Sequence, residues 1–187
     1  RGYETVWVPE GMGLDAISQL SAFATQTSRI RLGTGILPIF YRTPTLTAMT
    51  AAGLDKISGH RFILGLGVGH RGFIEEVHGI PFQRPLANLK ETVSIVRSLL
   101  KGEQLAHKGR IFNLSRGSLG YSTDFPVPIY IAALGPKMIE LAGEIADGVL
   151  LNWAVPTYIE KAMEHLESGA TRAGRRVEDI DVACYVR

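Results

Sequence analysis

The strongest constraint on this chain is a regular exchange between two hydrophobic periods. Short apolar runs of strand length alternate with stretches whose apolar residues recur every three or four positions. Residues 5–9 (TVWVP), 29–36 (RIRLGTGI), 61–68 (RFILGLGV), 128–134 (PIYIAAL), 148–153 (GVLLNW) and 180–186 (IDVACYV) read as strands. The run at 61–68 is apolar on both faces, as expected of a parallel strand covered on both sides. Between the runs lie five helical patterns. The first, at 15–27, has Asp15 as its cap and Ile17, Leu20 and Ala24 on one stripe. The second starts at Thr43-Pro44, carries Leu46, Met49, Gly53 and Ile57, and stops at Ser58-Gly59. Pro85, Pro136 and Pro156 open the other three. Their inner stripes are Leu86, Leu89, Val93 and Val96, then Ile139, Ala142 and Ile145, then Ile159, Ala162, Met163, Leu166 and Ala170.

Strict alternation of this kind requires right-handed βαβ units and a parallel sheet, so the fold class is α/β. An open doubly wound sheet and a TIM (β/α)8 barrel both satisfy it. Either architecture binds ligands at the carboxyl ends of its strands, here just after Pro9, Ile36, Val68, Leu134, Trp153 and Val186. Residues 107–127 break the rhythm. They are short, polar and Gly-bearing, with 110–114 (RIFNL) as a possible hairpin arm, and read as an insertion into a single domain over 1–187.

Charge narrows the function. Lys plus Arg number 20 against 18 for Asp plus Glu, and the basic clusters (Lys108/Arg110 and Arg172/Arg175/Arg176) read as solvated faces. Nucleic-acid binding needs a clustered positive face, so none is expected. No apolar run approaches the roughly 18 residues of a membrane helix and no signal segment opens the chain, so the expected location is the cytoplasm. The single Cys184 lies in an apolar alternation and reads as a core thiol. His60, His107 and His165 fall at helix ends or on polar faces and are set aside.

Gly is abundant at 21 residues, and the glycines concentrate at strand ends. Gly67 to Gly72 forms a G-x-G-x-x-G, but Pro81 and Pro85 follow where a dinucleotide fingerprint needs one long helix. Its physical content survives as backbone that can approach a flat or anionic ligand. Gly33-Thr34-Gly35-Ile36 suggests a bulge. Leu134-Gly135-Pro136-Lys137 places a helix N-terminus and a cation where an anion could sit. The polar strand-end candidates are Glu10, His70, Glu75, His78 and Asn152. Metal-ligand spacings, a nucleophile elbow and a Walker pattern are all missing from the sequence, so no metal is expected. A site rich in backbone and poor in nucleophiles suits an enzyme whose cofactor does the hard chemistry.

Five segments then come in a telling order: 5–10 (TVWVPE), 28–36 (SRIRLGTGI), 58–67 (SGHRFILGLG), 132–137 (AALGPK) and 146–149 (ADGV). Together they resemble the bacterial luciferase-like superfamily. The nearest branch is the F420-dependent oxidoreductases similar to methylenetetrahydromethanopterin reductase. The resemblance implies a (β/α)8 barrel with coenzyme F420, or FMN in other branches, at its carboxyl face. It implies a non-prolyl cis peptide at Gly35–Ile36 behind the flavin ring. It also implies cofactor contacts at Thr34, Gly35, Ile36, Gly67, Val68, Gly69, His70, Ala133, Leu134, Gly135, Pro136, Lys137 and Asn152. Glu10, His70 and Glu75 are the candidate catalytic residues, although many relatives have Asp-His where this chain has Glu10-Gly11.

The expected activity is hydride transfer between deazaflavin and a small organic substrate. The alternatives are an FMN-dependent monooxygenase, a non-catalytic flavin-binding barrel and, on Gly67 to Gly72 alone, a doubly wound dehydrogenase. A homo-oligomer formed through the first two helices is expected of the full-length protein. A barrel of this type needs about 250 residues, whereas this chain has 187, opens on Arg1 and ends in a strand. The six strands match the family's second to seventh, so the expectation is a fragment of a larger barrel. On its own, such a piece would bind flavin poorly and expose two strand edges.

Overall fold

A computed structural model of the chain describes residues 2–185. In chain order the elements are β1 (Thr5–Val8), α1 (Ala16–Gln26), β2 (Arg31–Thr34), β3 (Leu37–Pro38), α2 (Pro44–Ser58), β4 (Phe62–Gly67), α3 (Pro85–Leu100), β5 (His107–Lys108), β6 (Asn113–Leu114), β7 (Ile129–Ala133), α4 (Pro136–Ile145), β8 (Gly148–Asn152), α5 (Pro156–Arg172) and β9 (Asp181–Tyr185). The expected strand end at Val186 lies outside the described residues.

The strands are parallel and ordered β1-β2-β4-β7-β8-β9, each beside its predecessor in the chain, with β3 paired to β4. A doubly wound sheet reverses its strand order at a switch point. This one never reverses, so it is a half-barrel of the (β/α)8 type, and the dehydrogenase alternative falls. Helices cover the convex side. Leu32, Leu64, Ile131 and Val149 alternate toward them and join one core with Leu20, Ala51, Leu89 and Leu166.

The helix starts follow their sequence signals. Asp15 accepts from Ser18 N (2.9 Å) and Thr43 from Leu46 N (3.2 Å), while Gly59 closes α2 in the left-handed conformation. The inner face of α2 differs from expectation. Ala48, Ala51, Ala52 and Leu54 are buried, whereas Leu46, Met49 and Ile57 face outward, about half exposed. Alanines let the helix approach the sheet closely, and the larger side chains are left on the far side.

Two of the basic residues read as solvated are built into the scaffold. Arg175 donates to the carbonyls of Gly143 (3.0 Å) and Ala146 (2.7 Å), satisfying the end of α4. Arg172 pairs with Glu140 and Glu144. At the amino face, Arg61 donates to the carbonyls of Ala24, Thr27, Ile30 and Ser58. One guanidinium thereby closes the ends of both α1 and α2. Cys184 is half-buried on β9, and burial pushes its thiol pKa up.

The insertion begins with an antiparallel hairpin, His107 opposite Leu114 and Lys108 opposite Asn113. Glu91 of α3 holds its tip. Its carboxylate accepts from the backbone N–H groups of Arg110 (2.8 Å) and Phe112 (3.0 Å), with Ile111 N and His107 Nε2 also in reach. His107 is therefore a partner of Glu91, not a residue on a bare polar face.

Next to the carboxyl end of the sheet, Thr34 replaces a stretch of ladder. β2 pairs with β4 through Leu32–Phe62 and Gly33–Ile63, and pairing resumes at Leu37–Leu66. Across the gap the buried Thr34 hydroxyl donates to the Gly65 carbonyl (2.8 Å) and accepts from Gly65 N–H (2.7 Å). A Cβ on Gly65 would collide with the Thr34 carbonyl oxygen, so the approach requires glycine. Gly35 N then donates to Val8 O (2.8 Å) and Glu10 N to Ile36 O (3.1 Å), tying the bulge to β1. The cis peptide expected at Gly35–Ile36 is not present: no bond among the described residues is cis. The switch of partners from β1 to β4, with Thr34 bridging, accommodates the extra residues in trans.

Thr34→Val should leave a buried N–H and C=O on Gly65 without partners. Such groups cost about 1–3 kcal/mol each, so urea unfolding should show a clearly lower midpoint for Thr34→Val than for Thr34→Ser. Equal midpoints would contradict the bridging role. Glu91 gives a pH prediction. Burial raises its pKa, but the N–H donors of Phe112 and Arg110, with His107 and Ile111, outweigh that and hold it below its ordinary 4.5. A depressed folded-state pKa gives stability that is full above the unfolded value and lost as pH falls through the folded one. The stability gap between the native protein and Glu91→Gln should therefore be widest near neutrality and close in acid. A pH-independent gap in chemical denaturation would refute this.

Candidate functional site

The carboxyl ends of the strands form a shelf on the concave side of the sheet. The face opposite the helices carries Trp7, Gly33, Ile63, Gly65, Gly67, Tyr130, Ala132, Gly148 and Leu150 by strand alternation. Large side chains fill its lower part. Trp7 and Tyr130 rings lie 5.4 Å apart, and the Tyr130 hydroxyl donates to Asp181. Burial, then the Asp181 carboxylate, push the Tyr130 phenol up to about 12, so it stays protonated across the physiological range.

The upper part is small and apolar. Ile36, released from the ladder by the bulge, folds its side chain over Gly67. A Cβ there would lie 2.5 Å from Ile36 Cδ1 and 3.4 Å from Ala132 Cβ. Ile36, Ala132 and Leu150 remain partly exposed, so the shelf is open on one side. Gly69, with φ +67°, turns the chain away just beyond it.

At the rim, Gly135 is the N-cap of α4 and contributes no side chain. Met138 N and Ile139 N return to its carbonyl, while Lys137 is exposed in the first turn. Leu134 is exposed, and its carbonyl accepts from the Tyr158 hydroxyl (2.7 Å). Asn152 is exposed at the end of β8, followed by Trp153 in the left-handed conformation at φ 54°.

Thus Gly35, Ile36, Gly67, Val68, Gly69, Leu134, Gly135, Pro136, Lys137 and Asn152 gather along one rim. Two expected contacts do not join them through side chains. Thr34 is completely buried and committed to Gly65. Ala133 points into the helix-facing core.

The three candidate catalytic residues separate. The Glu10 side chain is buried and gripped by Arg42 through both terminal guanidinium nitrogens, one contact measuring 3.2 Å. It also accepts from Ala16 N at the start of α1 (3.1 Å). So placed, Glu10 joins the β1–α1 loop to the β3–α2 loop, which is a positioning geometry. Glu75 lies in a π-helical turn (Phe73–Val77), pairs with Arg71 (3.4 Å) and accepts from Phe82 N (3.2 Å). It braces the loop that returns toward α3. The third candidate, His70, is exposed at the start of that turn, and its carbonyl accepts from Ile74 N (3.0 Å). His78 stacks on Tyr41 with ring centroids 4.0 Å apart. Arg42 was not singled out from the sequence. Its signal was position alone, an arginine in a βα loop directly before a Thr-Pro helix start.

An apolar shelf with the start of a helix and an exposed lysine at its rim suits a flat ring carrying an acidic tail. Residues 1–187 match the family described as luciferase-like monooxygenase. The chain is 37% identical over 186 residues to the 5,10-methylenetetrahydromethanopterin reductase of Methanolobus tindarius, covering 99% of this chain and 56% of that protein. The structure of the coenzyme F420 dependent tetrahydromethanopterin reductase from Methanopyrus kandleri superposes with a TM-score of 0.89 at 32% identity, covering 98% of this chain and 58% of that one. An F420-dependent secondary alcohol dehydrogenase in complex with an F420-acetone adduct gives 0.91 at 25% identity, with 98% and 60% covered. The chain therefore spans somewhat more than half the length of these relatives. Matched along its whole length, and folded over that span as they are, it belongs to the luciferase-like monooxygenase family.

Proposed function

We propose that this chain is part of an F420-dependent oxidoreductase that transfers hydride between the deazaflavin and a small organic substrate. Residues 1–187 form one partial barrel domain with its insertion at 107–127. The observation that carries the reading is the shelf of Ile36, Gly67 and Ala132 beside the start of α4. Relatives described as F420-dependent support the choice of cofactor.

In this reading Ile36, Gly67 and Ala132 back one face of the ring and exclude water from it. Gly69, Gly135 and Lys137 would border its acidic portion, with Asn152 at the end of the neighbouring strand β8 as a polar contact beside them. Bound deazaflavin supplies a two-electron hydride carrier that needs no oxygen. His70, exposed at the lip, would carry the proton that accompanies the hydride, and Glu10 with Arg42 holds the neighbouring loops in register.

The test is a binding and turnover series on the full-length protein. F420 should raise the unfolding midpoint, since ligand at 100 times its dissociation constant adds about 2.7 kcal/mol. His70→Asn should lower turnover by ten-fold or more while F420 affinity stays within two-fold. Stabilisation by FMN alone would favour the monooxygenase alternative, and stabilisation by neither would favour a non-catalytic barrel.

A second copy is the proposed partner. Leu46, Met49 and Ile57 expose an apolar stripe along α2, with Phe23 of α1 also partly exposed. Met49→Glu should shift the full-length protein toward monomer in light scattering. An unchanged oligomer mass would place the interface elsewhere.

A further inference from the structure

A cavity of about 570 Å³ lies outside the shelf, between the β3–α2 loop, the start of α3 and the tip of the hairpin. Arginine supplies every charge on its wall: Arg42, Arg84 and Arg110, with no aspartate or glutamate among the lining residues. Arg42 is neutralised by Glu10. Among the described residues the guanidinium groups of Arg84 and Arg110 have no hydrogen-bond or ion-pair partner. Two guanidinium groups without a direct carboxylate partner therefore border one concave space, with the Glu91 carboxylate spent on the hairpin backbone.

Local structure fixes the backbone at both positions. Arg84 is the N-cap of α3 in the left-handed conformation (φ 46°, ψ 51°) and provides no capping bond. Asn, Asp or Gly would occupy that conformation with less strain and, for the first two, would cap the helix. The position keeps an arginine against the local preference, which directs attention to what its side chain faces. Arg110 is fixed at the hairpin tip by the bond from its N–H to Glu91.

Asn88 adds a third element. It is buried and lines the cavity; its Oδ1 accepts from the Thr92 hydroxyl (3.2 Å), and its amide nitrogen has no partner among the described residues. Tyr41 and Phe112 contribute aromatic wall.

We propose that this cavity binds a small anion bearing two or more phosphate or carboxylate groups, held by Arg84 and Arg110 with Asn88 as a neutral donor. Paired guanidinium groups suit such ligands because each offers parallel N–H donors to two oxygens. The site is separate from the start of α4 and does not depend on the cofactor reading.

Calorimetric titration of the flavin-free full-length protein with inorganic pyrophosphate, and separately with citrate, tests it. At least one probe should bind at low salt, and affinity should weaken as salt screens the charges. Pyrophosphate alone would assign a phosphoryl ligand and citrate alone a polycarboxylate. Arg84→Gln combined with Arg110→Gln, both exposed residues, should raise the dissociation constant about ten-fold or more. Asn88→Ala should raise it less, and Lys137→Gln should leave it within two-fold. Failure of both probes to bind overturns the proposal. So does affinity lost in Lys137→Gln but kept in the arginine double variant, which would put the anion at α4.

Discussion

The hydrogen-bonded contact between Thr34 and Gly65 controls the geometry of everything above it. A parallel sheet normally forbids an interruption in its middle, because each open N–H and C=O is buried on both sides. Here one hydroxyl serves as both donor and acceptor and fills the gap. The freed segment turns toward β1, and Ile36 swings over a strand position that has no side chain of its own. The shelf is thus a consequence of a broken ladder made tolerable by one threonine and one glycine. Bulges that re-aim a side chain beside a ligand site follow the same logic.

Charged side chains divide between two uses. Glu10, Glu91, Arg61 and Arg175 are consumed by architecture: each satisfies backbone groups or another charge that would otherwise be left open at a helix end or loop. His70, Lys137, Arg84 and Arg110 remain exposed at the carboxyl side or beside it. Burial and pairing make a charge a scaffold element, whereas exposure on a concave surface leaves it available to ligands. Glu10, a strand-end carboxylate by sequence, is tied between two loops by Arg42 and Ala16 N in this way.

Much of the fold could be read from the sequence because its determinants are local. Strand runs, Pro-opened helices, the Asp15 and Thr43 caps and the Gly59 stop each depend on a few neighbouring residues. The common side of the strand ends also followed, since βα topology puts them there. What escaped was whatever depended on partners distant in sequence. The stripe of Leu46, Met49 and Ile57 has the right period for an inner face, but only packing against the sheet reveals that the alanines lie inside. Arg84 and Arg110 are separated by a whole helix, and Arg110, exposed as its place in a basic cluster suggests, comes near Arg84 only because Glu91 holds the hairpin tip against α3.

The amino-acid sequence alone therefore determined the alternation, the parallel sheet, the family resemblance and which strand ends share one side of the sheet. Period, capping and glycine placement are properties of short segments, and they leave few topologies open. Only the tertiary structure decided that the strands follow one another without reversal, that the bulge is built in trans, and which charges are spent on the scaffold. Those outcomes depend on burial and on hydrogen bonds across 30 or more residues, such as Thr34 to Gly65 and Arg42 to Glu10. No local pattern encodes such pairings, because their energy exists only once the chain has brought the two ends together.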